Sequence, residues 1–194
     1  LDLPGIMEAL KSVDVHGADL CVRPGYPVTP ENAAVELPKA VRAFADEGLS
    51  IPMVTGPTRF IDPADATVAP LFDACAAAGV KSIKLGYWLL GDEDYWTMVD
   101  KVRKDLKGFA EHARRTGVTA LFHTHSGPYM GLNASALMHL IKDFDPDEVG
   151  AFLDAGHLAI VGEPAAMALS IAKSHLKVVA FKDLARQYVV RDGK

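Results

Sequence analysis

The sequence predicts an α/β protein built as an incomplete (β/α)8 barrel, with about six βα units visible in its 194 residues. Three observations carry this. Short apolar runs alternate with amphipathic stretches of helical period, which implies a parallel sheet with right-handed crossovers. The apolar runs are near-continuous, as expected of strands covered on both faces. Polar residues collect where the runs end: Arg23, Thr55, Lys84, His123, His125, Asp154, His157, Lys182 and Asp183. Groups at the carboxyl ends of many strands are what a barrel offers a ligand. An open nucleotide-binding sheet has less support, because no GxGxxG follows the first strand. Six strands do not close an eight-stranded barrel. Residues 1–194 are therefore expected to form one barrel domain, with a strand missing before Leu1 and at least one after Lys194.

The elements follow in order. Residues 4–13 have helical spacing and 16–23 form a strand. The next helix has Thr29 as its N-cap and Pro30 at the first helical position, and Gly48 closes it. Pro38 predicts a break or kink before the main run of that helix. Residues 50–56 are a strand, followed by a helix ending on Gly79. Residues 80–88 are a strand, followed by a long amphipathic helix. Residues 118–125 are a strand, with a helix capped by Asn133 after it. Residues 149–157 are a strand, 163–174 a helix and 176–183 the sixth strand. Asp183 should cap the segment that follows.

Composition narrows the function. Hydrophobic residues make up 49% of the chain, enough for a substantial core, and the net charge of -5 comes without any basic run. A nucleic-acid partner is not expected, nor is a membrane, since no apolar run reaches spanning length. The two cysteines, Cys21 and Cys75, lie in no metal-binding or redox motif and read as reduced thiols of a cytoplasmic protein. The sequence does not set the oligomeric state, and a homo-oligomer stays open.

The chemistry concentrates in "LFHTHSG" and "FLDAGHLAIVGE". Residues two apart in a strand share a face, which puts His123 and His125 about 7 Å apart along it. Asp154 adds a carboxylate from the next strand, and His157 lies three residues on, in the loop. Imidazole and carboxylate together suit Zn, Mn, Fe or Co; equally, one histidine is packed and the other exposed. Lys84 and Lys182 sit on apolar strands, where a lysine needs a ligand or an internal partner, for example Asp19 for Lys182. Arg23 is placed to bind an anion. Trp88, Tyr87 and Tyr129 follow strands, and either wall a polar ligand or pack on the rim.

The order and spacing of "EALKSVDVHGADLCVRPG", "AFADEGLSIPMVTG", "GVKSIKLGYW", "LFHTHSG", "VGAFLDAGHLAIVGE" and "LKVVAFKDL" resemble the sugar phosphate isomerase/epimerase family, the xylose isomerase-like TIM barrels. The resemblance implies proton transfer next to a carbonyl of a small carbohydrate (a keto-sugar or polyol), assisted by a divalent metal such as Mn, Zn, Co or Mg. It makes Asp154 a metal ligand and His157 a metal or substrate contact, and His125 matches a histidine that follows the family's catalytic glutamate. His123 stands in that glutamate's place, as ligand or base. Ala180 stands where a histidine commonly precedes "KD". The family's last metal-binding glutamate belongs to an eighth strand, which this chain does not reach. The expected site is thus His123, His157 and Lys84 for catalysis, with Asp154, His123 and His157 on the metal. Arg23, Lys84, Trp88, His125, His157 and Lys182 are the expected substrate contacts. Two alternatives accompany it: a sugar-binding relative that has lost the metal, and a metal-independent dehydratase or lyase that depends on Lys84.

Overall fold

A computed structural model describes residues 2–182 and 184. Six parallel strands lie in sequence order: β1 (Gly17–Cys21), β2 (Ser50–Thr55), β3 (Ser82–Lys84), β4 (Thr119–His123), β5 (Val149–Asp154) and β6 (Leu176–Ala180). Every neighbour pair is parallel, so the sheet is the wall of a half-barrel. Seven helices accompany it among the described residues: α1 (Leu3–Ser12), α2 (Ala33–Asp46), α3 (Val68–Ala78), α4 (Tyr95–Thr116), α5 (Ala134–Ile141), α6 (Ala155–Val161) and α7 (Ala165–Ala172).

Alternation along each strand divides the core in two. Leu20, Val54, Ile83, Phe122 and Leu153 face the helices and join the main cluster with Phe44, Phe72, Leu106 and Phe109. Met53, Leu121 and Phe152 face the other way and form a separate inner cluster with Val178 and Ala180. The register of β2, β3 and β4 aligns Thr55, Lys84 and Leu121 on that inner face. His123 and Asp154 lie two residues beyond Leu121 and Phe152, so they belong to the same face, one layer nearer the mouth.

The helices largely follow local chemistry. Asp94 caps α4 by accepting from the Trp96 and Thr97 amides, and Asn133 caps α5 at the Ala136 amide. Gly79 ends α3 in the left-handed region at φ 78°. Three expectations are corrected. The N-cap of α2 is Asn32, and its side-chain oxygen instead accepts from the Thr29 amide at 2.7 Å. The break expected at Pro38 is absent, since α2 runs on from Ala33 to Asp46. The carbonyl the proline leaves without a helical donor is that of Ala34, on the exposed face. Residues 155–157 are not strand, because the chain turns into α6 directly after Asp154. No single helix among the described residues is long and apolar enough to cross a membrane.

Candidate functional site

The site lies at the carboxyl ends of β1 to β5 and just past β6. Asp154 is its centre. It ends β5 and caps α6 at once: Oδ1 accepts from the amides of Gly156 at 3.0 Å and His157 at 3.2 Å. The Asp154 amide donates to Thr124 Oγ1 at 2.9 Å, tying the ends of β4 and β5 together. Oδ2 is left facing the mouth, buried and without a directed hydrogen bond among the described residues. Three nitrogens approach it: Lys182 Nζ at 2.6 Å, His123 Nε2 at 3.4 Å and His157 Nε2 at 3.9 Å. Burial pushes the Asp154 carboxyl up, but the Lys182 ammonium and the His157 amide outweigh it and hold it below the usual aspartate range. Asp154 is thus a fixed anion.

His123 forms the floor. Its ring packs edge-on to Phe152 at 4.6 Å, and its pKa is pushed down to about 3 by burial and then by the Lys84 charge. It is a neutral imidazole. Its Nε2 lies 3.4 Å from Asp154 Oδ2, and its Nδ1 lies 3.4 Å from the Tyr87 hydroxyl. His125 Nδ1 donates to the Ser126 carbonyl at 2.7 Å, which fixes the orientation of the ring. His125 stacks on His157 with ring centroids 4.0 Å apart, and Tyr87 and Tyr129 flank it at 4.6 and 4.7 Å. His157 Nδ1 receives the Ser126 amide at 3.3 Å and sits 2.8 Å from the Ser126 hydroxyl. Burial, the His125 charge and the Lys182 charge lower the His157 pKa.

The opposite wall comes from β1 to β3. Asp19 takes the Thr55 hydroxyl at 2.8 and 2.7 Å on its two oxygens, and burial raises its pKa despite that bond. Arg23 is anchored by donating from Nε to the Gly56 carbonyl at 3.2 Å. Lys84 is 6% exposed, with Nζ 4.3 Å from the centre of the Tyr87 ring.

The structure therefore brings Arg23, Lys84, His123, His125, Asp154, His157 and Lys182 to one mouth. Trp88 is the exception. It stacks on Phe122 at 5.3 Å, on the helix side of the sheet, and its indole N–H donates to Asp105 at 2.9 Å. At 1% exposure it is a core residue and touches no ligand space, which corrects its expected role in substrate binding. His157 is in the first turn of α6 and not in a loop. Lys182 pairs with Asp154 rather than Asp19. Asp183 lies outside the described residues. Sequence reasoning did not commit to Asp19, Tyr87 or Ser126. A charge in mid-strand was the signal for Asp19, and an aromatic ring just past a strand was the signal for Tyr87, though not for its contacts with Lys84 and His123.

The expected metal centre is tested by its donors. Asp154, His123 and His157 do converge, but the position facing Oδ2 is taken by the Lys182 ammonium. Among the described residues no group of three or more His, Cys, Asp or Glu side chains is disposed to hold a metal ion. The donors as arranged do not fit one.

Comparison with known proteins agrees with this architecture. A family model described as "Xylose isomerase-like TIM barrel" matches residues 4–192. An inosose dehydratase from Lacticaseibacillus casei is 26% identical over 102 residues, which cover 53% of this chain and 33% of that protein. The matched stretch thus spans about a third of that relative's length. The crystal structure of 3-keto-D-glucoside 4-epimerase from E. coli superposes with a TM-score of 0.73 at 15% identity, covering 94% of this chain and 74% of the other. The probable 3-DHS dehydratase from Bacillus anthracis gives 0.69 at 14%, covering 96% and 69%.

Proposed function

The chain belongs to the xylose isomerase-like TIM barrel family, and from that premise we propose that it moves a proton at the carbon next to the carbonyl of a small keto-sugar or keto-polyol. Epimerisation, isomerisation or loss of water would follow from where the proton or a neighbouring hydroxyl goes. The observation that carries this reading is His123 at the floor of the mouth, 3.4 Å from the Tyr87 hydroxyl on one side and 3.4 Å from the Asp154 carboxylate on the other. Its neighbours fit the rest of the task. Lys84 faces the same mouth, where it can draw electrons from the carbonyl as the proton leaves. His125 offers Nε2 to a substrate hydroxyl, and Arg23 and Lys182 supply positive charge at the rim. The names of the similar proteins, an inosose dehydratase and a keto-glucoside epimerase among them, support a polyhydroxy ketone as substrate class.

The test is solvent exchange. Purified protein is incubated in D2O with D-fructose and with a 2-keto-inositol, and proton NMR follows the C–H next to the carbonyl. Catalysed exchange is expected, falling about 100-fold or more in His123→Asn, the usual scale for loss of a general base. Exchange no faster than buffer on every ketose would overturn the proposal. It would leave the second reading, a sugar-binding protein without turnover, which the Lys182–Asp154 ion pair favours by closing the centre of the site.

A further inference from the structure

Lys84 is not accounted for by charge alone. Among the described residues its Nζ makes no ion pair, whereas Lys182 sits on Asp154. The Asp19 carboxylate takes the Thr55 hydroxyl, and its charge reaches Lys84 without an ion pair between them. Nζ instead lies over the Tyr87 ring, at the inner end of β3, enclosed to 6% exposure. The hydroxyl of the same ring reaches His123 Nδ1 at 3.4 Å. One phenol thus has an amine over its face and an imidazole base at its edge.

We propose that Lys84 is a covalent site, whose amine condenses with the ketone of a small keto-sugar or keto-polyol to form an iminium; the ligand class rests on the function proposed above. A site built only to hold an ammonium would supply a counter-ion. This one supplies low polarity and other cations. Burial first, then the Arg23 charge and, further on, that of Lys182 lower the Lys84 pKa to about 8, and only Asp19 and Cys21 oppose them. Relative to the ordinary 10.5, that leaves roughly 300-fold more free amine at neutral pH.

The step balances. The Nζ lone pair attacks the carbonyl carbon, a C–N bond forms, and the C=O π pair moves to oxygen, which is protonated. The nitrogen then expels that oxygen as water. Overall one proton is taken from solvent, one water leaves, and the nitrogen bears the positive charge. The iminium draws electrons more strongly than the ketone did. The neighbouring C–H bond breaks, its pair forms the enamine, and its proton passes to His123 Nδ1. Hydrolysis after reprotonation returns the amine.

Reductive trapping tests this. The protein is incubated with D-fructose, reduced with sodium borohydride, digested and mapped by mass spectrometry. Lys84 should carry the reduced adduct at least tenfold above the exposed Lys81 and Lys104, and labelling should rise with pH to a plateau above about 8. Lys84→Arg keeps a positive charge, cannot condense, and should show only the surface background. The ratio within wild-type protein needs no variant, so a misfolded variant would not remove the test. Labelling of Lys84 no stronger than that of Lys81 and Lys104 overturns the inference. Deuterium exchange without trapping would overturn the covalent step and leave proton transfer standing. Trapping without exchange would support the amine site and overturn the proton-transfer reading.

Discussion

Replacing Lys84 with methionine should stabilise this protein at neutral pH. Methionine fills the same length without a charge, in a pocket that is 6% exposed and offers Nζ no carboxylate among the described residues. The size follows from linkage. The folded amine titrates near 8, against 10.5 in the unfolded chain. Between those values the unfolded chain binds more protons, so wild-type stability rises with pH across that window. A gap of that size is worth about 3 kcal/mol at pH 7, of which all but about 1 kcal/mol is recovered by pH 10. Lys84→Met should therefore raise the unfolding free energy by about 1.5–3 kcal/mol at pH 7, or roughly 3–10 °C in Tm. Its advantage should shrink by about 2 kcal/mol at pH 10. Urea unfolding at pH 7 and pH 10 reads both numbers, with Lys84→Arg as the variant that keeps the charge. A methionine variant no more stable at pH 7, or one whose advantage does not change between pH 8 and 10, would mean that Lys84 has a partner.

Other perturbations separate the remaining roles. Lys182→Met should free Asp154 Oδ2 and raise affinity for Co2+ by about tenfold or more over wild type, seen by calorimetry; unchanged affinity would mean that the ammonium does not block that position. Stability should fall as pH drops below about 6.5, because the unfolded His123 takes a proton while the folded one stays neutral until about 3. The slope this adds is up to about 1.4 kcal/mol per pH unit, and it should disappear in His123→Phe. Gly131→Ala combines a φ of 76° with a Cβ placed 2.4 Å from Phe122, and should cost roughly 2 kcal/mol or more in urea unfolding. Trp88→Phe removes the bond to Asp105 and should lower stability by about 1–3 kcal/mol with little effect on deuterium exchange, since Trp88 faces away from the mouth.

The parallel sheet was legible in the sequence because each strand is a short apolar run closed by a polar residue, and each helix carries its own period and end signals. Asp94, Asn133 and Gly79 act within a turn of themselves, so local pattern was enough. What failed depended on distance or on double duty. Trp88 looks like a rim residue because it follows a strand, but its burial is decided by Phe122 and Phe109, 34 and 21 residues away. "LDAGH" reads as continuous strand because its apolar content hides the helix start that Asp154 imposes. Of the mouth, the histidines and Asp154 were visible as strand endings. The bridge from Lys84 through Tyr87 to His123 was not, since nothing in the spacing of one strand reveals which ring leans over from its neighbour.

The two oxygens of Asp154 do separate work, and this bears on how the position responds to change. Oδ1 starts a helix and Oδ2 faces the chemistry. A descendant that abandoned the reaction would still need Oδ1, or the junction of β5 and α6 would lose its cap. Asparagine could serve that junction, since its carbonyl accepts the same two amides, while offering only a neutral amide to the mouth. Folding thus permits two residues here where the chemistry permits one. Choice between them reports on activity, whereas the presence of an oxygen at this junction reports only on architecture.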